Sequence, residues 1–198
     1  MGVPLTLKKG VRMLGVAESF PKGTAKRSVL VGVVQRADLV IDGFSLAFPT
    51  VGGMDATDRL LELYYQLSRE DVNHVCVSGS VISWYNVIDF NRFYETTKTP
   101  TVSLTYEPSE GLDEHFKRAC PQDWRERLEM HKRNGARERV ELHTGYEVFV
   151  RGYGVNTDEA LRVLNSFLLQ GKYPEPIKVA RLISHQLSRA LLGWPRSG

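Results

Sequence analysis

The sequence is defined first by what it lacks. Only two cysteines occur in 198 residues, Cys76 and Cys120. Their separation has no metal-binding spacing, and Cys76 lies in an apolar run, so both are expected to be reduced thiols in a cytoplasmic protein. No apolar window approaches membrane-spanning length, and Met1–Lys9 lacks the apolar segment of a signal peptide. There is no Gly-x-Ser-x-Gly elbow, no phosphate-binding loop and no His-Glu-x-x-His, which argues against the corresponding hydrolase, nucleotide-binding and zinc-protease chemistries. Internal repeats and low-complexity runs are absent. With 42% hydrophobic and 25% charged residues, the chain has enough apolar material for a sizeable core, and a single domain spanning 1–198 is expected.

The net charge is only +3, but it is unevenly spread. Residues 1–36 carry seven basic side chains against one acid, and 37–116 carry four against thirteen. Residues 117–139 return to eight against four, and 170–198 to five against one. Basic ends flanking an acidic middle suit phosphates held around a metal-binding cluster; the same pattern also describes a solvated surface.

The chain reads as organised around Val11–Phe20, a short apolar strand that ends in Glu18. Two further apolar runs, Val29–Val34 and Leu39–Val51, follow across tight links, with Asp42-Gly43 able to bulge the second. Helical spacing of Leu60, Tyr64 and Leu67 begins after Asp55. A strand at His74–Ser78, a loop at Gly79–Asn86, a helix at Val87–Thr96 and a strand at Pro100–Tyr106 complete the order strand–strand–strand–helix–strand–helix–strand. Three antiparallel strands followed by two right-handed crossovers fit a mixed five-stranded, ribonuclease H-like α/β sheet with the first strand central. Beyond it, helices at Glu110–Ala119 and Gln122–Asn134, a hairpin at Val140–Arg151, a helix from Asn156 and a last helix are expected. In the last helix Val179, Leu182, Ile183, Leu187, Ala190 and Leu191 form the apolar stripe.

Glu18 at a strand end, with Asp55 and Asp58 at a helix start, can share a divalent cation that orients water on a phosphodiester. Asp55 also reads as a helix N-cap, and Asp58 as a charge favouring the helix dipole. Ala17 and Ser78 stand where further carboxylates would strengthen the site. Ser78-Gly-Ser80 offers a nucleophile if His74 or His143 serves as its base. Trp84 and Tyr85 can stack an extruded base or pack in the core. Lys172, Lys178 and Arg181 can contact phosphates or form a solvated helix face.

Five stretches carry a resemblance: Gly10-Val-Arg-Met-Leu-Gly-Val16, Val29-Leu-Val-Gly-Val-Val34, Gly53-Met-Asp-Ala-Thr-Asp58, Val81–Asp89 with its Asn-Val-Ile-Asp, and Gly171-Lys-Tyr-Pro-Glu-Pro-Ile-Lys-Val-Ala-Arg181. In this order they resemble the archaeal proteins grouped as endonuclease dU, distant relatives of endonuclease V. The resemblance implies a ribonuclease H-like fold and Mg2+- or Mn2+-dependent cleavage of DNA or RNA beside a deaminated base such as uracil. Glu18 then occupies one position of an acidic pair whose other place is Ala17, and Asp55 matches the Asp of the Asp-Ala-Thr motif. Ser78 replaces the acid after the fourth strand. These departures leave open a second outcome, a nucleic-acid-binding module without catalysis.

Overall fold

The computed structural model describes residues 7–23, 25–108 and 111–193. Strand β1 (Arg12–Ser19) turns back into β2 (Val29–Arg36), and β2 into β3 (Ile41–Ala47). All three pair antiparallel, and the register slips by one residue at Asp42, which bulges opposite Val34 and Gln35. That is the bulge expected at Asp42-Gly43. Helix α1 (Ala56–Gln66) leads to β4 (His74–Ser78), which pairs parallel to β1. A small hairpin, β5 (Val81–Ile82) with β6 (Asn86–Val87), occupies the stretch expected to be loop. Helix α2 (Phe90–Thr97) returns the chain to β7 (Thr101–Thr105), parallel to β4.

Helices α3 (Asp113–Ala119) and α4 (Trp124–Arg133) follow; the expected start of α3 at Glu110 lies outside the described residues. Strands β8 (Glu138–Glu141) and β9 (Glu147–Tyr153) form the expected hairpin. Instead of standing apart, β9 pairs antiparallel with β7, so one sheet runs β3-β2-β1-β4-β7-β9-β8. The core meander and crossovers match the expected order, and the hairpin lengthens the sheet to seven strands. Helices α5 (Thr157–Ser166) and α6 (Glu175–Leu192) complete the chain.

Side-chain alternation along β1 separates two cores. Leu14 and Val16 pack with Leu60 and Leu63 of α1 and Phe90 and Phe93 of α2. Met13 faces the other way, with Val163, Leu164 and Ile177, and Ala17 meets Ala180. Cys76 and Cys120 are buried, unpaired thiols. No helix among the described residues is long and apolar enough to cross a membrane.

The face that α6 presents to the sheet keeps Val179, Ile183 and Leu187 of the expected stripe, which pack at its margins, but centres on smaller residues. Its buried residues are Pro176, Ile177, Ala180, Ser184 and Ser188, whereas Leu182 and Leu191 are exposed. Small residues let the helix axis come close to the sheet, and Gly15 permits the closest approach. A Cβ at Gly15 would lie 2.6 Å from the carbonyl carbon of Pro176 and 2.8 Å from the nitrogen of Ile177, both backbone atoms that cannot swing aside. We therefore expect Gly15→Ala to lower stability by about 1–3 kcal/mol, the usual cost of overpacking. Gly10→Ala, with nothing within 4 Å of its Cβ, should stay within about 0.5 kcal/mol of wild type. Urea unfolding of the two variants checks the difference.

Candidate functional site

The parallel strands β1, β4 and β7 all end on one edge of the sheet, where α/β proteins place their ligand crevices. A groove crosses that edge. One end is a cleft of about 540 Å³ bordered by Glu18, Ser19, Tyr173, Lys178, Arg181 and His185. The next, of about 500 Å³, shares Tyr173 and Arg181 and adds Ser78, Tyr106, Glu107 and Arg137. The third, of about 370 Å³, shares Gly79, Thr105 and Arg137 and reaches Ser80, His131 and Arg151. The described lining thus carries Lys178, Arg181, Arg137 and Arg151 against two carboxylates, Glu18 and Glu107.

Glu18 pairs with Leu30 inside β1 and shares the face of Leu14 and Val16, so the strand neither ends nor bulges before it. Its Oε1 accepts from the Ser83 backbone N–H at 3.1 Å, and Oε2 is buried with no partner. Burial pushes its pKa above the usual glutamate value, against the hydrogen bonds from Ser83 and Ser28. Ala17 faces the opposite way, packed under α6.

Asp55 stands at the N-cap position of α1 but makes no capping bond with its side chain. The cap is supplied from a distance, by Asn86 Oδ1 accepting from Ala56 N at 2.9 Å. The Asp55 carboxylate instead closes the preceding turn. It accepts from Thr50 N (3.0 Å), Thr50 Oγ1 (2.9 Å), Asn86 Nδ2 (2.8 Å) and Arg59 Nε (3.2 Å). Burial alone would raise its pKa; these donors outweigh it and leave the carboxyl below its usual range. Asp58 is exposed and paired with Arg92 at 2.6 Å. Glu18, Asp55 and Asp58 are thus engaged in separate places. Among the described residues no group of three His, Cys, Asp or Glu side chains is able to hold a metal ion. The residues present do not fit the expected Mg2+ or Mn2+ site.

Between β5 and β6 the chain takes three consecutive left-handed residues, Ser83 (φ 45°), Trp84 (φ 60°) and Tyr85 (φ 68°). Each costs roughly 1–2 kcal/mol for an L-residue, so the turn persists only because its surroundings hold it. Gly52 N donates to Ser83 O at 2.7 Å, and Arg127 Nη1 to Tyr85 O at 2.7 Å. The Ser83 and Ser28 hydroxyls are 2.6 Å apart. Trp84 is left 48% exposed, while Tyr85 packs edge-on against Phe116. Of the two rings expected to stack a base, Trp84 is the exposed one and Tyr85 is half-buried.

The basic residues are held by different means. Arg181 lies 4.5 Å above the Tyr173 ring, and Lys172 lies over both Tyr173 and Tyr106. Lys178 is tied to Glu175 and to the carbonyl of Gln170. The alternative serine site does not assemble. Ser80 Oγ receives Arg151, His74 begins the strand that Ser78 ends, and His143 bonds Asn165. Tyr106, His131, Arg137, Arg151 and Tyr173 line the groove without having been among the expected site residues. For Arg151 a signal existed, since it continues a strand whose Val148 and Val150 are buried; a charge there requires an explanation.

The endonuclease dU family matches residues 9–188, nearly the whole chain. The chain belongs to that family. A UPF0215 protein of Pyrobaculum calidifontis is 33% identical over 171 residues, covering 86% of this chain and 93% of the relative. Among solved structures, a protein of unknown function from Archaeoglobus fulgidus superposes with a TM-score of 0.77 at 22% identity, covering 89% of this chain and 98% of its own. Endonuclease V of Ciona intestinalis, solved with DNA containing an inosine, gives 0.62 at 12% identity over 91% and 87%. The endonuclease V likeness establishes the ribonuclease H-like fold.

The two half-buried carboxylates should behave oppositely in acid. The folded pKa of Glu18 is raised, so the native state loses stability as pH rises through its titration. Glu18→Gln should therefore be at least as stable as wild type at pH 7, with no such advantage at pH 3. The folded pKa of Asp55 is lowered, so its contribution is present above the normal carboxylate range and is lost as pH falls through the folded value. Asp55→Asn should cost about 1–3 kcal/mol at pH 7 and much less at pH 3. Denaturant titrations at both pH values read both effects.

Proposed function

We propose that this endonuclease dU family member binds a nucleic-acid strand along the basic groove and hydrolyses a phosphodiester there, with Glu18 at the reacting end. The observation that carries the reading is the groove itself: arginines and lysines, interleaved with Tyr106 and Tyr173, cross the carboxyl ends of three parallel strands. Cations of this kind neutralise backbone phosphates. Endonuclease V of Ciona intestinalis, which shares the fold, is solved with inosine-containing DNA, and this supports a nucleic-acid strand as the ligand. Hydrolysis requires a proton taken from water and one returned to the leaving oxygen. A glutamate with a raised pKa at the cleft floor is suited to that exchange. A deaminated base, uracil or hypoxanthine, is the proposed target, and DNA and RNA are both candidate strands.

A binding module without cleavage is the second reading. Ala17 under α6, Ser78 at the end of β4 and the separation of Asp55 and Asp58 from Glu18 favour it. Fluorescence anisotropy on labelled single strands tests what both readings share. Arg181→Glu should weaken binding by at least about tenfold and reduce the steepness of the log–log salt dependence by about one. Unchanged binding removes the groove. Incubating uracil- and hypoxanthine-containing strands with and without Mg2+ or Mn2+ then separates the readings. Cleavage by wild type and none by Glu18→Gln, with binding retained, supports the nuclease. Binding without cleavage under every condition leaves the module.

A further inference from the structure

The third recess of the groove has an unbalanced charge. Arg151, on β9, is buried, and an interior guanidinium ordinarily requires a paired carboxylate. Its partners are neutral: Nε donates to Gly135 O at 2.8 Å, and Nη1 to Ser80 Oγ at 3.1 Å. Arg137 across the recess is similar, donating from Nη1 to Thr105 Oγ1 at 3.1 Å and Glu107 O at 3.2 Å. Among the described residues neither guanidinium forms an ion pair. Other arginines in this chain do: Arg127, equally buried, holds Asp123 at 2.7 Å, and Arg12 and Arg69 both hold Asp42.

His131 is the independent observation. It borders the same recess, and its Nδ1 is buried with no hydrogen-bond partner. Burial drives its pKa down to about 4, and the charges of Arg151 and Arg137 push it further in the same direction. The imidazole is therefore neutral near pH 7, in a positive field that repels its second proton. A field of that sign, in a recess of about 370 Å³ edged by two hydroxyls, attracts an oxyanion. Two guanidinium forks with the Ser80 hydroxyl match the several oxygens of a phosphate, while Thr105 Oγ1 accepts from Arg137 and donates to Phe149 O.

We propose that the recess formed by Arg137, Arg151, His131, Ser80 and Thr105 is a phosphate pocket that anchors the strand at the end of the groove away from Glu18. The strand's occupancy rests on the groove reading above; the affinity for phosphate does not. The phosphate is either a terminal monoester or an internal diester of the strand, and the pocket sets which linkage reaches the cleft at Glu18.

The test uses the full chain, wild type and Arg137→Gln. Arg137 lies at the rim and is the safer substitution; Arg151→Lys, which keeps the charge, serves as a second variant, and circular dichroism confirms the fold of both. Inorganic phosphate alone should raise the Tm of wild type and leave that of Arg137→Gln unmoved. In anisotropy, single strands with a 5′-phosphate or a 5′-hydroxyl distinguish the sources. A preference of about tenfold for the 5′-phosphate, lost in Arg137→Gln, identifies a terminal phosphate. Equal binding of both strands, weakened about tenfold by Arg137→Gln, identifies an internal one. If Arg137→Gln and Arg151→Lys change neither the phosphate effect nor strand binding, the pocket is overturned. Loss of strand binding in Arg181→Glu alone leaves the groove standing without the pocket. Loss in Arg137→Gln alone, with Arg181→Glu unaffected, leaves the pocket and removes the groove.

Discussion

The close seating of α6 on β1 is the constraint from which the site follows. At Gly15 the two backbones approach more nearly than any side chain would allow. From there both elements run toward the same edge. Three strand residues advance about 10 Å and six helical residues about 9 Å, so Arg181 and Leu182 arrive beside Glu18 and Ser19. The cleft bordered by these residues is therefore set by a backbone contact some distance away. Replacing Gly15 by a larger residue would lift the helix and widen the cleft together.

A second set of interactions holds the turn at Ser83–Tyr85. Arg127 reaches out of α4 to the carbonyls of Gly52, Gly53 and Tyr85, and Asp123 neutralises it. Asn86 joins the same arrangement, bridging Asp55 and the first turn of α1. These bonds keep Ser83, Trp84 and Tyr85 in a left-handed turn that the chain would not adopt unaided, and the turn delivers the Ser83 N–H to Glu18. Asp55 matters here through the architecture it stabilises. Thr50, Asn86 and Arg59 supply the four donors that hold its carboxylate in the turn.

Much of the architecture was legible because apolar periodicity and strand order are local properties of the sequence. The meander, both crossovers and even the bulge at Asp42 could be read directly. The stripe of α6 could be read only in part: Val179, Ile183 and Leu187 pack as expected, but Ala180, Ser184 and Ser188 carry no hydrophobic signal and are buried by proximity rather than by size. The attachment of β9 to β7 was likewise invisible, since pairing between distant strands leaves no local trace. In the site, Glu18, Lys178 and Arg181 were visible as charges near strand and helix ends. Arg137, Arg151 and His131 come from three separate elements and converge only in space. Charge counting by segment pointed to phosphate but was silent on which cations lack partners.

The most direct test of the central claim, that a strand lies across the carboxyl ends of β1, β4 and β7, is hydrogen–deuterium exchange with and without a saturating single strand. The account predicts slowed exchange in three segments, 79–85, 105–108 and 171–185, with the exposed edge strand β3 unchanged. Protection on β3 and α1 instead, or none in those three segments, would contradict it.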